Sequence, residues 1–230
     1  MKSRADTQTS HTGEASHTGD ELRSRPSVSD AKRAVVDRTA SQIRFFREFL
    51  SQPQHVGAVA PSSQELARAM VADHDLTHAD VVVELGPGTG SMTEYFARSV
   101  GPSTRFIAIE RNGTFARHLS QRFPNVEVIH GEAQETPAIL ARLGLDGADH
   151  VLSGIPWASI PAAEQHAALD AVIEALRPKA HFATFAYTAA LWLPKARRFR
   201  KLLADKFSDV DMSRTVWRNL PPALSYHCQK

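Results

Sequence analysis

The chain has 230 residues, of which 42% are hydrophobic and 23% are charged, values typical of a globular protein that buries a sizeable core. A single cysteine, Cys228, excludes an intramolecular disulfide and favours a reducing compartment. We find no secretory signal pattern and no apolar run of the roughly 20 residues that span a bilayer. We therefore expect a cytoplasmic protein, in which any membrane contact is peripheral.

Charge is distributed unevenly along the chain. Residues 177–230 carry 11 basic and 3 acidic side chains, whereas residues 31–176 carry 12 basic and 17 acidic ones. A basic carboxyl-terminal third indicates an anionic partner surface, which either phospholipid or nucleic acid would provide. The alternative explanation is a solvated helix face.

The first 30 residues have a composition typical of a disordered tail. They are rich in Ser, Thr, His and Gly, and they hold too few large apolar residues to offset the entropy of ordering. We expect the folded domain to occupy residues 31–230.

Ser29-Asp30 is placed to cap an amphipathic helix over about residues 31–51. This helix carries aromatic and basic side chains, a combination typical of helices that lie in a membrane interface. An ordinary helix packed on the domain needs the same apolar stripe, so both interpretations stay open. The candidate membrane-binding residues of this helix are Arg44, Phe45, Phe46, Arg47 and Phe49.

From residue 61 onward the pattern alternates between helices and strands. Pro61-Ser62-Ser63 predicts a turn and a helix start, whose backbone amides are suited to a ligand carboxylate. The alternation predicts an α/β fold with a mostly parallel sheet and helices on both faces. Predicted strands are 81–85, 105–109, 126–130, 149–153, 180–187, 210–216 and 223–227; predicted helices are about 64–72, 91–99, 113–122, 135–142, 162–176 and 195–206.

The most informative motif is Glu84-Leu85-Gly86-Pro87-Gly88-Thr89-Gly90, between the apolar run 81–83 and the next predicted helix. Glycine permits positive φ and lets a ligand approach the backbone closely. The loop lies at the carboxyl end of a strand, where open α/β sheets bind ligands. The next two strands end in acids as well, Glu110 and Glu132. Because the glycine spacing differs from Gly-x-Gly-x-x-Gly, a nicotinamide or flavin cofactor is disfavoured.

These motifs together resemble those of class I S-adenosylmethionine-dependent methyltransferases. The resemblance implies a Rossmann-like fold with a seven-stranded, mostly parallel sheet that has one reversed strand near its edge. It also implies that S-adenosyl-L-methionine is the cofactor, S-adenosyl-L-homocysteine the product, and that no metal is needed. The implied cofactor-binding residues are Pro61, Ser62, Ser63, Glu84, Gly86, Pro87, Gly88, Gly90, Glu110, Arg111, Gly131, Glu132, Ala133 and Ser153.

Within that set, the resemblance gives each part of the site its own role. The glycine loop passes the methionine part of the cofactor, Glu110 holds the ribose hydroxyls, and Glu132 lies beside the adenine.

The segment Ser153-Gly154-Ile155-Pro156-Trp157 follows the fourth predicted strand and corresponds to the acceptor loop of these enzymes. Relatives that methylate adenine usually carry Asn or Asp at the first position, then Pro, then an aromatic ring that stacks on the base. Ser153 departs from that pattern, which counts against a nucleobase substrate. The backbone carbonyls of Ser153 and Gly154 remain candidate acceptors for an amine. Tyr187 is a candidate to line the acceptor pocket, and His55 is an alternative proton acceptor.

Several segments resemble bacterial phospholipid N-methyltransferases over roughly residues 40–228. These are Phe45 to Leu50, Gly57 to Ser63, the glycine loop, Ser153 to Pro156, and Val216 to Ala223. The resemblance implies methylation of the amine of phosphatidylethanolamine, giving the monomethyl lipid and, after further transfers, phosphatidylcholine. That family is similar to the ribosomal RNA adenine dimethylases, so adenine N-methylation of ribosomal RNA is the alternative function.

A second basic cluster follows the segment Leu191-Trp192-Leu193-Pro194. It consists of Lys195, Arg197, Arg198, Arg200 and Lys201. Beside apolar residues, such cations favour an anionic phospholipid surface, to which each contributes about 1 kcal/mol. We expect phosphatidylethanolamine and that surface as partners, nucleic acid as a disfavoured partner, and no obligate protein partner.

Overall fold

The computed structural model describes residues 61–72 and 74–230. The tail 1–30, the helix 31–51 with its five candidate membrane residues, and His55 lie outside the described residues. The predictions that concern them stay predictions.

The described residues form a seven-stranded sheet in the order β3-β2-β1-β4-β5-β7-β6. Strands β1 to β5 are parallel, while β7 runs antiparallel to β5 and β6 antiparallel to β7. The strands are β1 (Val81–Leu85), β2 (Arg105–Glu110), β3 (Glu127–His130), β4 (Ala148–Ser153), β5 (Leu176–Tyr187), β6 (Asp209–Met212) and β7 (Ala223–Gln229). The Rossmann-like prediction, with a reversed strand near one edge, is confirmed.

Six α-helices connect or flank these strands in the described part of the chain. They are α1 (Pro61–Val71), α2 (Thr93–Ser99), α3 (Gly113–Arg122), α4 (Thr136–Arg142), α5 (Ala162–Ala175) and α6 (Pro194–Lys206). Helices α4, α5 and α6 pack on one face of the sheet, and α1 and α2 pack on the other. Successive side chains of β1 point to opposite faces of the sheet. Val81 and Val83 pack in the hydrophobic core on the side of α4, α5 and α6, and Val82 packs in the core on the side of α1 and α2.

Several boundaries differ from the sequence prediction by one to four residues. Helix α1, for example, begins at Pro61 rather than about 64. Helix α2 begins at Thr93 rather than 91, because Ser91 and Met92 continue the turn after Gly90. Strand β5 begins at Leu176, directly after α5, and bends where Lys179 has a φ of 65°. Strand β6 ends at Met212, and Val216 forms a separate pair with Ala223.

Candidate cofactor and acceptor site

The glycine loop turns sharply at the carboxyl end of β1. Gly86, Gly88 and Gly90 have φ values of 65°, 59° and 81°, in the left-handed region that favours glycine. A Cβ on Gly90 would lie 2.6 Å from the Phe123 ring and 2.7 Å from Leu119 of α3, so these side chains would have to shift to admit any other residue there. The loop therefore presents bare backbone towards the space above the sheet.

Backbone hydrogen bonds join the carboxyl ends of four neighbouring strands, β3, β2, β1 and β4. The amides of Gly86, Gly154 and Gly131 donate to the carbonyls of Ile109, Leu85 and Glu110, at 2.9, 2.8 and 3.1 Å. As a result, the glycine loop, the acid after β2, the turn after β3 and the acceptor loop after β4 meet at one edge of the sheet. The structure thus brings together the strand-end residues that the sequence singled out.

Glu110 is buried between the glycine loop and the start of α3. Its Oε2 accepts a hydrogen bond from the Gly88 amide at 3.0 Å, and its Oε1 accepts one from the Asn112 amide at 2.8 Å. One lone pair on each oxygen is left over, which suits two adjacent hydroxyl donors. This geometry fits the ribose role that the resemblance implies.

Glu84 is fully buried in β1, and neither of its carboxyl oxygens has a hydrogen-bond partner among the described residues. Burial raises its pKa to about 8, the nearby Thr93 hydroxyl partly opposes that shift, and Glu110 adds to it. A buried acid without a partner is costly unless a ligand completes it. The cationic ammonium of an amino-acid ligand is the complement that Glu84 requires, so the residues present fit S-adenosylmethionine.

The turn after β3 is more open. Glu132 is exposed, and Glu135 Oε2 accepts a hydrogen bond from the Glu132 amide at 2.7 Å, which starts the turn that leads into α4. Gly131 and Ala133 flank it and are half-buried. Arg111 is exposed as well, and its carbonyl accepts from His130 Nε2 at 3.1 Å. The adenine role of this turn stays a prediction.

Two residues that the sequence reasoning missed hold the cofactor edge together. Asn112 caps α3 by accepting from the amides of Thr114 and Phe115, at 2.9 and 3.2 Å. Arg122 donates to the Thr89 carbonyl at 3.2 Å and to Glu94 at 2.8 Å. Asn directly before a helix is a recognisable cap signal. The Arg122 contact spans 33 residues, and no local pattern predicts it.

The acceptor loop is held by the side chain of Ser153, which is fully buried at the end of β4. Its Oγ accepts from the Trp157 indole nitrogen at 3.0 Å and from the Ile155 amide at 3.3 Å, while its carbonyl accepts from Thr184 Oγ1 at 3.2 Å. The hydroxyl thus orders the loop. The role of the Ser153 and Gly154 carbonyls as amine acceptors stays a prediction.

Trp157 differs from the expectation for a nucleobase site. Its ring is 1% exposed and stacks on Phe199 of α6, with ring centroids 5.3 Å apart. Gln165 of α5 fixes its backbone by donating to the Trp157 carbonyl at 2.8 Å. A ring buried in this way is not available to stack on a base, which is a second observation against a nucleobase substrate.

Tyr187 lies half-buried at the end of β5, against Phe185 at a ring-centroid distance of 5.4 Å. Burial raises the pKa of its hydroxyl above the ordinary value, so it stays neutral at physiological pH. Both residues line a mainly apolar cavity of about 50 Å³ beside the acceptor loop. The other lining residues are Pro156, Trp157, Ala158, Ser159, Ala186, Ala190, Ala196, Phe199 and Tyr226.

The basic cluster lies on α6, whose apolar side forms part of that cavity. Lys195, Arg197, Arg198, Arg200 and Lys201 are all exposed, and none of them is ion-paired among the described residues. In the part of the chain that the structure describes, no helix combines the length and apolarity needed to cross a bilayer.

A doubly wound sheet with a glycine loop, a ribose-type acid and a buried unpaired carboxyl defines a protein that binds a nucleoside cofactor. Comparison with known proteins identifies its kind. Residues 82–179 match the family model described as "Methyltransferase domain". The chain is 35% identical to the ornithine lipid N-methyltransferase of Singulisphaera acidiphila over 188 residues, which cover 80% of this chain and 94% of that protein.

Two further similarities are informative. The ribosomal RNA small subunit methyltransferase A of Thermotoga maritima is 38% identical over 78 residues, which are 33% of this chain and 27% of that protein. The O-methyltransferase of Bacillus cereus, solved with S-adenosylhomocysteine, superposes with a TM-score of 0.59 at 15% identity, covering 83% of this chain and 91% of that one. The chain belongs to the class I S-adenosylmethionine-dependent methyltransferases.

Proposed function

We propose that the protein transfers methyl groups from S-adenosylmethionine to the amine of phosphatidylethanolamine, and to its methylated derivatives, at an anionic membrane surface. One observation carries the lipid-amine part: the similarity to an ornithine lipid N-methyltransferase extends over 94% of that protein. The apolar cavity beside the acceptor loop supports it. The choice of phosphatidylethanolamine rests on the amino-terminal and carboxyl-terminal segments shared with phospholipid N-methyltransferases.

Cofactor positioning falls to residues at the edge of the sheet. S-adenosylmethionine, when bound, supplies the activated methyl group. Glu110 orients the ribose, the glycine loop allows close approach of the backbone, and Glu84 neutralises the ammonium. Positioning of this kind accounts for most of the rate enhancement expected of such an enzyme.

Acceptor positioning falls to the loop after β4 and the end of β5. The amine must be neutral to react, and a free alkylammonium has a pKa of about 10. An apolar pocket beside a positive centre lowers that pKa, by desolvation and by charge repulsion. The carbonyls of Ser153 and Gly154 accept the remaining amine hydrogens, and Tyr187 closes the pocket over the amine. This arrangement needs no dedicated base.

Adenine N-methylation of ribosomal RNA is the alternative, supported by the partial similarity to ribosomal RNA methyltransferases. That match covers 27% of the Thermotoga protein, and the buried Trp157 speaks against base stacking.

The test supplies radiolabelled S-adenosylmethionine and three acceptors in separate reactions. These are phosphatidylethanolamine vesicles with anionic lipid, ornithine lipid in the same vesicles, and ribosomal RNA. We expect label in the phosphatidylethanolamine fraction. Label in ornithine lipid alone would move the substrate to that lipid, and label in RNA alone would refute the lipid function. The E110Q variant is the control for label that does not depend on the bound cofactor.

A further inference from the structure

Large apolar side chains are exposed at one edge of the sheet. Among the described residues, Trp192 is 77% exposed, Trp217 74%, Leu220 79% and Met212 42%. Three of these four lie in two loops, residues 188–193 after β5 and residues 213–222 before β7. An exposed tryptophan is costly in water, and two of them in adjoining loops indicate a contact surface.

The two loops are held together at the carboxyl end of β5. Tyr187 pairs with Ala223 in the sheet, and both the amide and the hydroxyl of Thr188 donate to the Pro222 carbonyl, at 3.0 and 3.1 Å. The glycine loop and the acceptor loop follow the carboxyl ends of β1 and β4, which lie on the same side of the sheet as the carboxyl end of β5. The exposed side chains therefore lie on the side of the molecule where the acceptor must arrive.

Each loop is also ordered by its own hydrogen bonds. Asn219, which is buried, donates from Nδ2 to the Pro221 carbonyl at 2.6 Å, and its amide donates to the Val216 carbonyl at 3.2 Å. In the other loop, the Leu193 amide donates to the Ala190 carbonyl at 2.9 Å. Trp192 and Trp217 thus stand on defined turns, which are suited to a repeatable contact.

The charge around these loops has a single sign. Residues 188–204 and 213–222 contain seven Lys or Arg residues and no Asp or Glu. None of the seven is ion-paired within the described residues. The nearest acids in sequence are Asp205, near the end of α6, and Asp211 on β6. Asp211 pairs with His227, on the half of β7 that lies away from Ala223, and Asp209 pairs with Gln229 at the far end of that strand.

We propose that this edge, with Trp192, Trp217 and Leu220 inserted and the seven cations at the headgroups, is the surface that docks on an anionic lipid bilayer. The proposal rests on the proposed lipid function and adds the orientation of the enzyme. Tryptophan prefers the boundary between headgroups and acyl chains. Lys and Arg are attracted to anionic headgroups. Leu220 has no aromatic ring to stack on a base, so Trp192, Trp217 and Leu220 together are better suited to insertion in a bilayer than to RNA.

This orientation has a consequence for the substrate. The acceptor loop faces the bilayer, and so does the apolar cavity, whose lining includes Ala196 and Phe199 of α6 and Ala190 of the preceding loop. A lipid amine then reaches the methyl donor while its acyl chains remain in the membrane.

The experiment uses the full chain and its own tryptophans. Vesicles contain phosphatidylethanolamine and phosphatidylglycerol, with acyl chains brominated near the headgroup or left plain. We expect a blue shift of the emission on binding and quenching by the brominated lipid. The W192F/W217F variant retains the buried Trp157 and should lose most of that quenching.

The matched variants are W192S/W217S/L220S and M212S, the latter removing an exposed apolar residue outside the two loops. We expect the triple variant to bind vesicles at least about tenfold more weakly, and M212S to bind like the wild type. Activity on a water-soluble, short-chain phosphatidylethanolamine should be unchanged in both, which separates docking from catalysis.

Three outcomes would overturn the proposal. They are vesicle binding without any change in tryptophan emission, full vesicle binding by the triple variant, and a blue shift produced by ribosomal RNA but not by vesicles. Failure of the proposed function looks different, because the wild type would then methylate neither vesicle lipid nor the short-chain lipid, however well it binds.

Discussion

Glu110 and Gly88 are linked by a hydrogen bond of 3.0 Å, from the glycine-loop amide to the carboxylate Oε2. The acid at the end of one strand thus fixes the loop at the end of its neighbour. Since the other oxygen accepts from Asn112, the carboxylate is oriented before any ligand binds. Such preorganisation favours binding, because little ordering remains to be done.

The E110Q variant tests this arrangement. An amide of the same size loses the charge and turns an N–H₂ group towards a backbone donor, so S-adenosylmethionine should bind about 10–100-fold more weakly. Isothermal titration calorimetry measures the change. The matched control is E127Q, which removes a half-exposed acid of β3 that pairs with Arg105 away from the loop. Unchanged affinity in E110Q would remove Glu110 from the ribose role.

Cofactor binding should also release a proton from Glu84. Its pKa of about 8 keeps the buried carboxyl mostly protonated at pH 7 in the free protein. A cationic ammonium beside it lowers that pKa, so binding at pH 7 should release about one proton. Calorimetry in buffers of different ionisation enthalpy measures the number released. The E84Q variant should release none, and equal release by the variant and the wild type would locate the proton elsewhere.

Glu84 also makes the stability of the cofactor-free protein depend on pH. The folded pKa is raised from 4.5 to about 8, so the folded state binds more protons than the unfolded state between these values. Protonated Glu84 makes its full contribution to the free energy of unfolding below pH 4.5, and that contribution is lost as the pH rises towards 8. Urea unfolding of the free protein at pH 6 and pH 8.5 should show this loss in the wild type and not in E84Q. A loss of the same size in E84Q would contradict the assignment.

The residues of the candidate cofactor site leave stronger signals in the sequence than those of the candidate acceptor site. Gly86, Gly88 and Gly90 adopt positive φ values, a backbone conformation that favours glycine, so the loop is visible in the sequence as three closely spaced glycines. The acids at the ends of β1 and β2 are placed by the strands themselves. Parallel alternation then brings the strand ends to one edge, so the sheet and most helices were predicted closely.

The acceptor half depends on contacts between distant segments. Trp157 belongs to the loop after β4, yet its burial is determined by Phe199, 42 positions later on α6. The side chain of Ser153 was interpreted only as a departure from the pattern of adenine methylases, whereas in the structure its hydroxyl accepts a hydrogen bond from the Trp157 indole. The exposure of Trp192 and Trp217 likewise follows from the packing of α6 and β7, which sequence spacing does not report.

The role of Tyr187 is testable through the pH dependence of the rate. Burial raises the pKa of its hydroxyl, so the phenol stays neutral over the working range and does not act as the base. The Y187F variant should keep most of the activity and the shape of the kcat profile, while Y187A should lose about tenfold or more through poorer amine positioning. Steady-state kinetics with short-chain phosphatidylethanolamine measures both. Loss of one limb of the profile in Y187F would show that the hydroxyl does take part in proton transfer.

Four histidines meet on the face of the sheet that α1 covers, near the amino ends of β4 and β5. The ring of His74 lies 4.3 Å from His181, 5.3 Å from His227 and 5.5 Å from His150. His227 Nδ1 and His74 Nε2 are within hydrogen-bonding distance at 3.2 Å, and Ser225 Oγ lies 2.8 Å from His227 Nε2. Burial lowers the pKa of His150 and of His181, which favours the neutral form of these two rings.

Acid should therefore destabilise the fold through His150. Desolvation and the neighbouring His181 lower its pKa from 6.5 to about 4, although Asp149 and Asp75 oppose the shift. The pKa of His150 is lower in the folded state than in the unfolded state, so neutral His150 makes its full contribution to the free energy of unfolding above pH 6.5. That contribution is lost as the pH falls towards 4, by up to about 3 kcal/mol. Urea unfolding at pH 7.5 and pH 5 measures the loss. The H150F variant should lose less on acidification, and H166Q, which removes an exposed histidine of α5, should behave like the wild type. Equal losses in H150F and the wild type would mean that other groups set the acid sensitivity.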